Sequence, residues 1–131
     1  KATQISGDLI PRLIDELPIL ALAACFAEGE TVIRDAQEMR TKESDRIQAT
    51  VVGLRNLGAR IEELTDGMVI RGGEYLTGAQ CQSFGDHRIA MTLGIAGLLA
   101  QGETTLLGGD ASGVSYTGFW DTLQEIQRTQ E

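Results

Sequence analysis

An internal repeat constrains this chain more than any other feature. Gly29-Glu30-Thr31 closes a run of small and apolar residues and opens a β-type run, and Gly102-Glu103-Thr104 does the same 73 positions later. At that offset Leu20 matches Leu93, Ala23 matches Ala96 and Ala27 matches Ala100. Charged residues precede both apolar runs, Asp15-Glu16 in one and Asp86-His87-Arg88 in the other. A period this long is not a solenoid of short repeats, because each copy has room for helices and strands of its own. The recurring order of helix, strand, helix and hairpin predicts an α/β (α+β) architecture built from copies of one folding unit. About two units are expected, residues 1–73 and 74–131.

The first unit opens with a strand tail at Ala2 to Ile5 and a turn at Gly7-Asp8. Pro18 is tolerated only near a helix start, so a helix from about Leu17 to Ala27 is expected, with Asp15 as N-cap or first-turn residue and Gly29 as the stop. A strand follows at Thr31 to Arg34. Ile47, Val51 and Leu54 recur at helical spacing, which predicts a second helix over Ile47 to Leu57. Arg60 to Leu64 and Met68 to Ile70 flank Thr65-Asp66-Gly67, a hairpin signal. In the second unit a strand is expected at Ala79 to Phe84, an apolar helix at Ile89 to Ala100 and a strand at Thr104 to Leu107. A Gly-rich loop to Tyr116 and a last helix from about Phe119 to Arg128 complete it.

Between the first strand and the second helix lies Met39-Arg40-Thr41-Lys42-Glu43-Ser44-Asp45-Arg46, in which Arg40, Lys42, Glu43, Asp45 and Arg46 are charged. A helix start offers free N–H groups and a positive dipole end, a good place for a phosphate or carboxylate. Lys42 and Arg46, four apart, are expected to share a helix face. Two cations beside two carboxylates suit an anionic substrate that also needs proton transfer. The plainer reading is a solvated, salt-bridged helix start.

Several classes are excluded by composition. At a net charge of −8 the long-range field repels nucleic acid and anionic membranes. Any anionic ligand must be captured by local cations. These are two lysines, Lys1 and Lys42, and nine arginines, which favour planar bidentate partners. Cys25 and Cys81 have no CxxC neighbour and His87 is the single histidine, which argues against a structural zinc site and for free, reduced thiols. The apolar run Leu17 to Ala27 is too short to span a bilayer and no signal-peptide layout is visible, so a cytoplasmic location is expected. Lys1-Ala2-Thr3-Gln4-Ile5 begins in mid-pattern and reads as a piece of a longer protein.

Three stretches together resemble one family. Asp15-Glu16 ahead of an Ala-rich helix, Arg40-Thr41-Lys42-Glu43-Ser44-Asp45-Arg46, and Asp86-His87-Arg88-Ile89-Ala90-Met91 are similar, in order and spacing, to the C-terminal part of the 5-enolpyruvylshikimate-3-phosphate synthases. Val114-Ser115-Tyr116-Thr117-Gly118-Phe119-Trp120 resembles the family's closing segment. The resemblance implies a fold of βαβαββ units in two globular domains with the active site between them. It also implies transfer of the enolpyruvyl group of phosphoenolpyruvate to the 5-hydroxyl of shikimate 3-phosphate, with release of phosphate and with no organic cofactor or catalytic metal. The N-terminal part of such an enzyme would be a necessary partner. A fragment with exposed core faces and strand edges is expected to self-associate.

Carried over residue by residue, the resemblance gives Asp15 contact with the shikimate 5-hydroxyl region and a role as base. Glu43 becomes the proton donor and acceptor at the enolpyruvyl carbon. Cations around Glu43 favour its charged form, so burial is expected to offset them. Lys42 is implied as a shikimate-side ligand and proton shuttle, Arg46 and Arg88 as clamps on the phosphoenolpyruvate carboxylate and phosphate, and His87 as a partner of the intermediate or the phosphate. Without the resemblance, Asp15 and Asp86 read as N-caps and His87 as a surface or cap histidine; Asp45 reads as a structural partner of a nearby arginine in either case. Two departures stand out. No lysine follows Lys42, where many members carry one that binds phosphoenolpyruvate, and Glu38 occupies a position where some members have a substrate-binding Asn. Two other readings stay open: the sister enzyme that transfers the same group to UDP-N-acetylglucosamine, and a non-catalytic anion-binding domain using the loop at Gly108-Gly109 and Gly113. The carboxylates Asp15 and Glu43 favour an enzyme over an anion binder.

Overall fold

In a computed structural model of the chain, residues 3–73 and 75–107 are described, together with the backbone of 113–117. The first half runs β1 (Thr3–Ile5), α1 (Leu9–Leu13), α2 (Leu17–Phe26), β2 (Glu30–Ile33), a 3-10 turn (Gln37–Thr41), α3 (Arg46–Asn56), β3 (Arg60–Leu64) and β4 (Gly67–Arg71). Its four strands form one sheet in the order β1-β2-β4-β3. β1 and β2 are parallel, with Gln4 opposite Val32, so the helices between them form a crossover. β4 returns antiparallel to both β2 and β3. The second half runs β5 (Gln80–Gln82), α4 (His87–Leu99), β6 (Glu103–Leu107) and β7 (Gly113–Thr117). Here too the strands on either side of the helix, β5 and β6, are parallel, and β7 is antiparallel to β6.

The expected helices and strands therefore form, with three differences. α1 was not expected; Pro11 lies in its first turn, where the missing N–H has no intrahelical partner to lose. Asp15 is not the N-cap of α2. Glu16 holds that position without a side-chain cap, and the Asp15 carboxylate faces Arg46. The backbone of Gly113 to Thr117 is a strand rather than loop, paired residue for residue with β6. The helix expected at 119–128 lies outside the described residues.

The core forms where α2, α3 and α4 pack on one another, with α2 and α3 also packing on the first sheet and α4 on β6 and β7. Leu17 and Ala21 of α2, Ile47 and Leu54 of α3, Leu93 and Ala96 of α4, and Ile33, Met68 and Ile70 of the sheet are fully buried. A glycine makes the approach of α3 to α4 possible: a Cβ on Gly53 of α3 would lie 2.7 Å from Leu93 Cδ2 of α4. Cys25 and Cys81 are buried and free, and burial pushes the Cys25 thiol up to about 11.

The hairpin supports the segment that carries the charged stretch. Asp66 accepts hydrogen bonds from the Asp35 backbone N–H at 2.9 Å and Arg34 Nε at 3.1 Å, and its own carbonyl accepts from Ala36 N–H at 2.7 Å. The Asp35 N–H, first, and the Arg34 guanidinium hold the Asp66 carboxyl below the usual carboxylate range. Gly67 is needed for close approach rather than for turn geometry. A Cβ there would sit 1.7 Å from the Ile33 carbonyl oxygen, a rigid backbone atom. Gly67→Ala should therefore destabilise the protein by about 1–3 kcal/mol, or more if β2 and β4 separate, as measured by urea unfolding.

Candidate active site around Arg46

The charged stretch is divided between structure and site. Arg40 faces the hairpin: its NH2 donates to the Leu64 carbonyl at 2.7 Å, its Nε to the Thr65 carbonyl at 2.9 Å and its NH1 to Asp45 Oδ2 at 2.8 Å, with Glu63 Oε2 2.8 Å from NH2. The bond to Asp45 leads the interactions that raise the Arg40 pKa. Asp45 also caps α3, its Oδ1 accepting from Gln48 N–H at 3.0 Å. Asp45 is thus a structural partner of an arginine, as expected. Because α3 begins at Arg46, Lys42 precedes the helix and shares no helix face with Arg46. Its ammonium lies 3.8 Å from Glu38 Oε2.

Arg46 is the centre of the site. Its side chain is 3% exposed and meets three carboxylates from three distant parts of the sequence. Nε donates to Asp86 Oδ2 at 2.8 Å, NH1 to Asp15 Oδ1 at 3.2 Å and NH2 to Glu43 Oε2. Arg88 joins the same group, with NH2 3.9 Å from Asp15 Oδ2. Burial would lower the Arg46 pKa, but the Asp86 bond and the surrounding negative charge outweigh it, and the guanidinium stays charged.

The three carboxylates differ in freedom. Asp86 is the N-cap of α4 and is fully buried; Oδ1 accepts from the backbone N–H of Arg88 at 2.9 Å and of Ile89 at 3.4 Å, and Oδ2 also accepts from Ser44 Oγ at 2.7 Å. Asp15 and Glu43 are 45% and 65% exposed. The burial expected around Glu43 is therefore absent: the residue lies on the solvent side of the guanidinium. His87 is exposed in the first turn of α4, next to Asp86. Of the residues singled out from sequence, Asp15, Glu43, Arg46 and Arg88 are brought together, while Lys42 pairs with Glu38 and His87 is exposed. Ser44 had no role assigned and Asp86 only that of a cap; both turn out to join the two motifs, a link that neither motif reveals alone. Among the described residues no group of three or more His, Cys, Asp or Glu side chains is placed to hold a metal ion.

Solved structures place this architecture among the enolpyruvyl transferases. The enolpyruvyl transferase NikO of Streptomyces tendae matches 72% of this chain and 22% of its own with a TM-score of 0.51 at 16% identity, a likeness of fold alone. The EPSP synthase of Acinetobacter baumannii matches more closely, at a TM-score of 0.75 and 40% identity over 81% of this chain and 25% of that one. The family model for EPSP synthase (3-phosphoshikimate 1-carboxyvinyltransferase) matches residues 2–123, and the chain belongs to that family. It is 62% identical over 123 residues to the 3-phosphoshikimate 1-carboxyvinyltransferase of Roseiflexus castenholzii and 54% identical over 129 residues to that of Synechococcus sp. RCC307. These matches cover 94% and 98% of this chain but 28% and 30% of the relatives, so the chain spans under a third of their length.

Burial would raise the Asp86 carboxyl, but hydrogen bonds from Arg46 and Ser44 hold it below the ordinary value. A folded-state pKa below the unfolded one stabilises the fold above the unfolded value of about 3.9, and that contribution is lost as pH falls through the folded value. Urea unfolding at stepped pH should show stability falling on acidification below about pH 4. The fall should be shallower in Asp86→Asn, which has no proton to take up at that position.

Proposed function

We propose that a protein combining this chain with the remaining part of the family's length transfers the enolpyruvyl group of phosphoenolpyruvate to the 5-hydroxyl of shikimate 3-phosphate and releases phosphate. The observation that carries this reading is the meeting of Asp15, Glu43, Arg46 and Arg88, from three distant motifs, around one buried guanidinium. The reaction needs cations for a carboxylate and phosphates, a base for the attacking hydroxyl and an acid for the enol methylene carbon. Arg46 and Arg88 supply the cations as planar forks. Asp15 serves as base near the 5-hydroxyl, and Glu43 gives and takes the proton at the enolpyruvyl carbon. Lys42 and His87 enter only when substrate draws them in, Lys42 on the shikimate side and His87 on the phosphate or the intermediate.

In this reading residues 1–73 and 74–131 are two units of one domain, the first in the strand and helix order βαβαββ. The rest of the cleft comes from the remaining part of the enzyme, and the phosphorylated substrates place the reaction in the cytoplasm. The isolated chain releases no phosphate. It self-associates through the outer face of α4, where Met91, Ile95, Leu98 and Leu99 are each at least 41% exposed. A strictly monomeric sedimentation profile would count against that association.

The test is a graft of residues 1–131 in place of the matching segment of the Roseiflexus castenholzii relative, assayed for phosphate release from phosphoenolpyruvate plus shikimate 3-phosphate. The graft should turn over, Glu43→Gln should lower kcat by about a hundredfold or more, and a UDP-amino sugar should not replace shikimate 3-phosphate. Full activity in Glu43→Gln would remove Glu43 from the chemistry. An inactive, folded graft would reject the reaction for this chain.

A further inference from the structure

We infer that Asp86 is a positioning residue for Arg46: it grips the Nε edge of the buried guanidinium so that the two terminal nitrogens are presented to an anionic substrate. The inference rests on the reading of Arg46 as an anion clamp. It starts from the unequal status of the three carboxylates. Asp86 is fully buried and accepts from Ser44 Oγ, Arg46 Nε, Arg88 N–H and Ile89 N–H. Its backbone is fixed as well, with its N–H donating to the Ser83 carbonyl at 2.9 Å and its carbonyl accepting from Ala90 N–H at 2.9 Å. Asp86 cannot turn away from Arg46 without giving up its cap bonds to α4. Asp15 and Glu43, at 45% and 65% exposure, can swing into solvent and yield NH1 and NH2 to an incoming carboxylate or phosphate.

The turn that delivers Asp86 is also held against local preference. Ser83 to Asp86 closes through Phe84 at φ 56 and Gly85 at φ 69. A bulky residue rarely adopts the left-handed conformation, and Asn or Gly would be the ordinary choice at the first of these positions. The fold accepts that strain at the turn that sets the Asp86 carboxylate in place. Ser44 adds the second brace. It lies one residue before the cap of α3, and its hydroxyl donates to the same oxygen that holds Arg46.

Capping alone could account for Asp86, and one substitution separates the two roles. Asn is as good an N-cap as Asp, so Asp86→Asn keeps an acceptor for the N–H groups of Arg88 and Ile89. It removes the negative charge that faces Arg46 Nε. In the Roseiflexus castenholzii graft described above, Asp86→Asn should raise the KM for phosphoenolpyruvate about tenfold or more, with a smaller change in kcat. Ser44→Ala should raise it severalfold. In an Arg46→Lys background, Asp86→Asn should change KM less than twofold, because both substitutions act through one route. An unchanged KM in folded Asp86→Asn, or its full effect persisting beside Arg46→Lys, would overturn the inference.

A readout independent of turnover is the NMR resonance of the Arg46 Nε–H in the same graft. It should exchange slowly with solvent in the unsubstituted protein and rapidly in Asp86→Asn. Equal protection in both would overturn the positioning role whether or not the graft is active. An inactive graft that shows the expected loss of protection would reject the proposed reaction while leaving Asp86 as the residue that holds Arg46.

Discussion

The Arg46–Asp86 pair is the interaction on which the rest of this site depends. Arg46 begins α3, Asp86 caps α4, and their side chains are 3% and 0% exposed. Two helix starts brought together place two positive dipole ends side by side, with Arg46 and Arg88 adding to them. Such a concentration of positive charge is stable only if anionic groups are set within it. Asp86 does this from inside the structure, where water screens little. Asp45 does it at the cap of α3, and Asp15 and Glu43 do it from the solvent side. The pair also links the halves of the chain. α3 follows the first parallel strand pair and α4 joins the second, so one buried bond ties motifs forty residues apart.

Much of this was legible in the sequence, for identifiable reasons. α3 announces itself through apolar residues at helical spacing, α2 and α4 through continuous small and apolar runs entered by Pro18 or by charged residues, and all three through glycines beyond their ends. The hairpin β3–β4 is marked by Asp66-Gly67, although Gly67 turns out to serve the approach of β4 to Ile33. The recurrence of Gly-Glu-Thr pointed to a repeated helix-then-strand order in an α/β fold; that the strands flanking the helices pair in parallel in both halves comes from the structure. Asp86 as a cap and Asp45 as an arginine's partner followed from local rules that tertiary structure did not override.

What was not legible depends on contacts across the fold. Asp15 has the chemistry of a cap, yet α2 starts one residue later, after Glu16, and the Asp15 carboxylate accepts from Arg46 at 3.2 Å. Lys42 appeared to share a face with Arg46 because spacing was counted as if the helix were already formed; the 3-10 turn before it directs Lys42 to Glu38. Part of the charged stretch, Arg40 and Asp45, is therefore scaffold. Arg40 uses the hairpin carbonyls of Leu64 and Thr65 to fix the segment that presents Glu43 and Arg46. No local rule distinguishes an arginine that holds the backbone from one that faces a ligand.

Burial of the central pair bears on why it is there. Taking two charges out of water costs several kcal/mol per ion, and well-packed apolar residues often hold such a position at least as stably. Helix starts can also be capped without a buried arginine, as Asp45 caps α3 through its own carboxylate. The pair is therefore poorly explained as a device for stability. It is well explained as a way to keep a guanidinium charged, dry and fixed along one edge while the other edge faces carboxylates that can be exchanged. Asp15 and Glu43 occupy that outer edge, so Arg46 is paired along both edges. An anion that displaces them meets a clamp already oriented by Asp86, and it frees the two carboxylates that the proposed chemistry requires as base and acid.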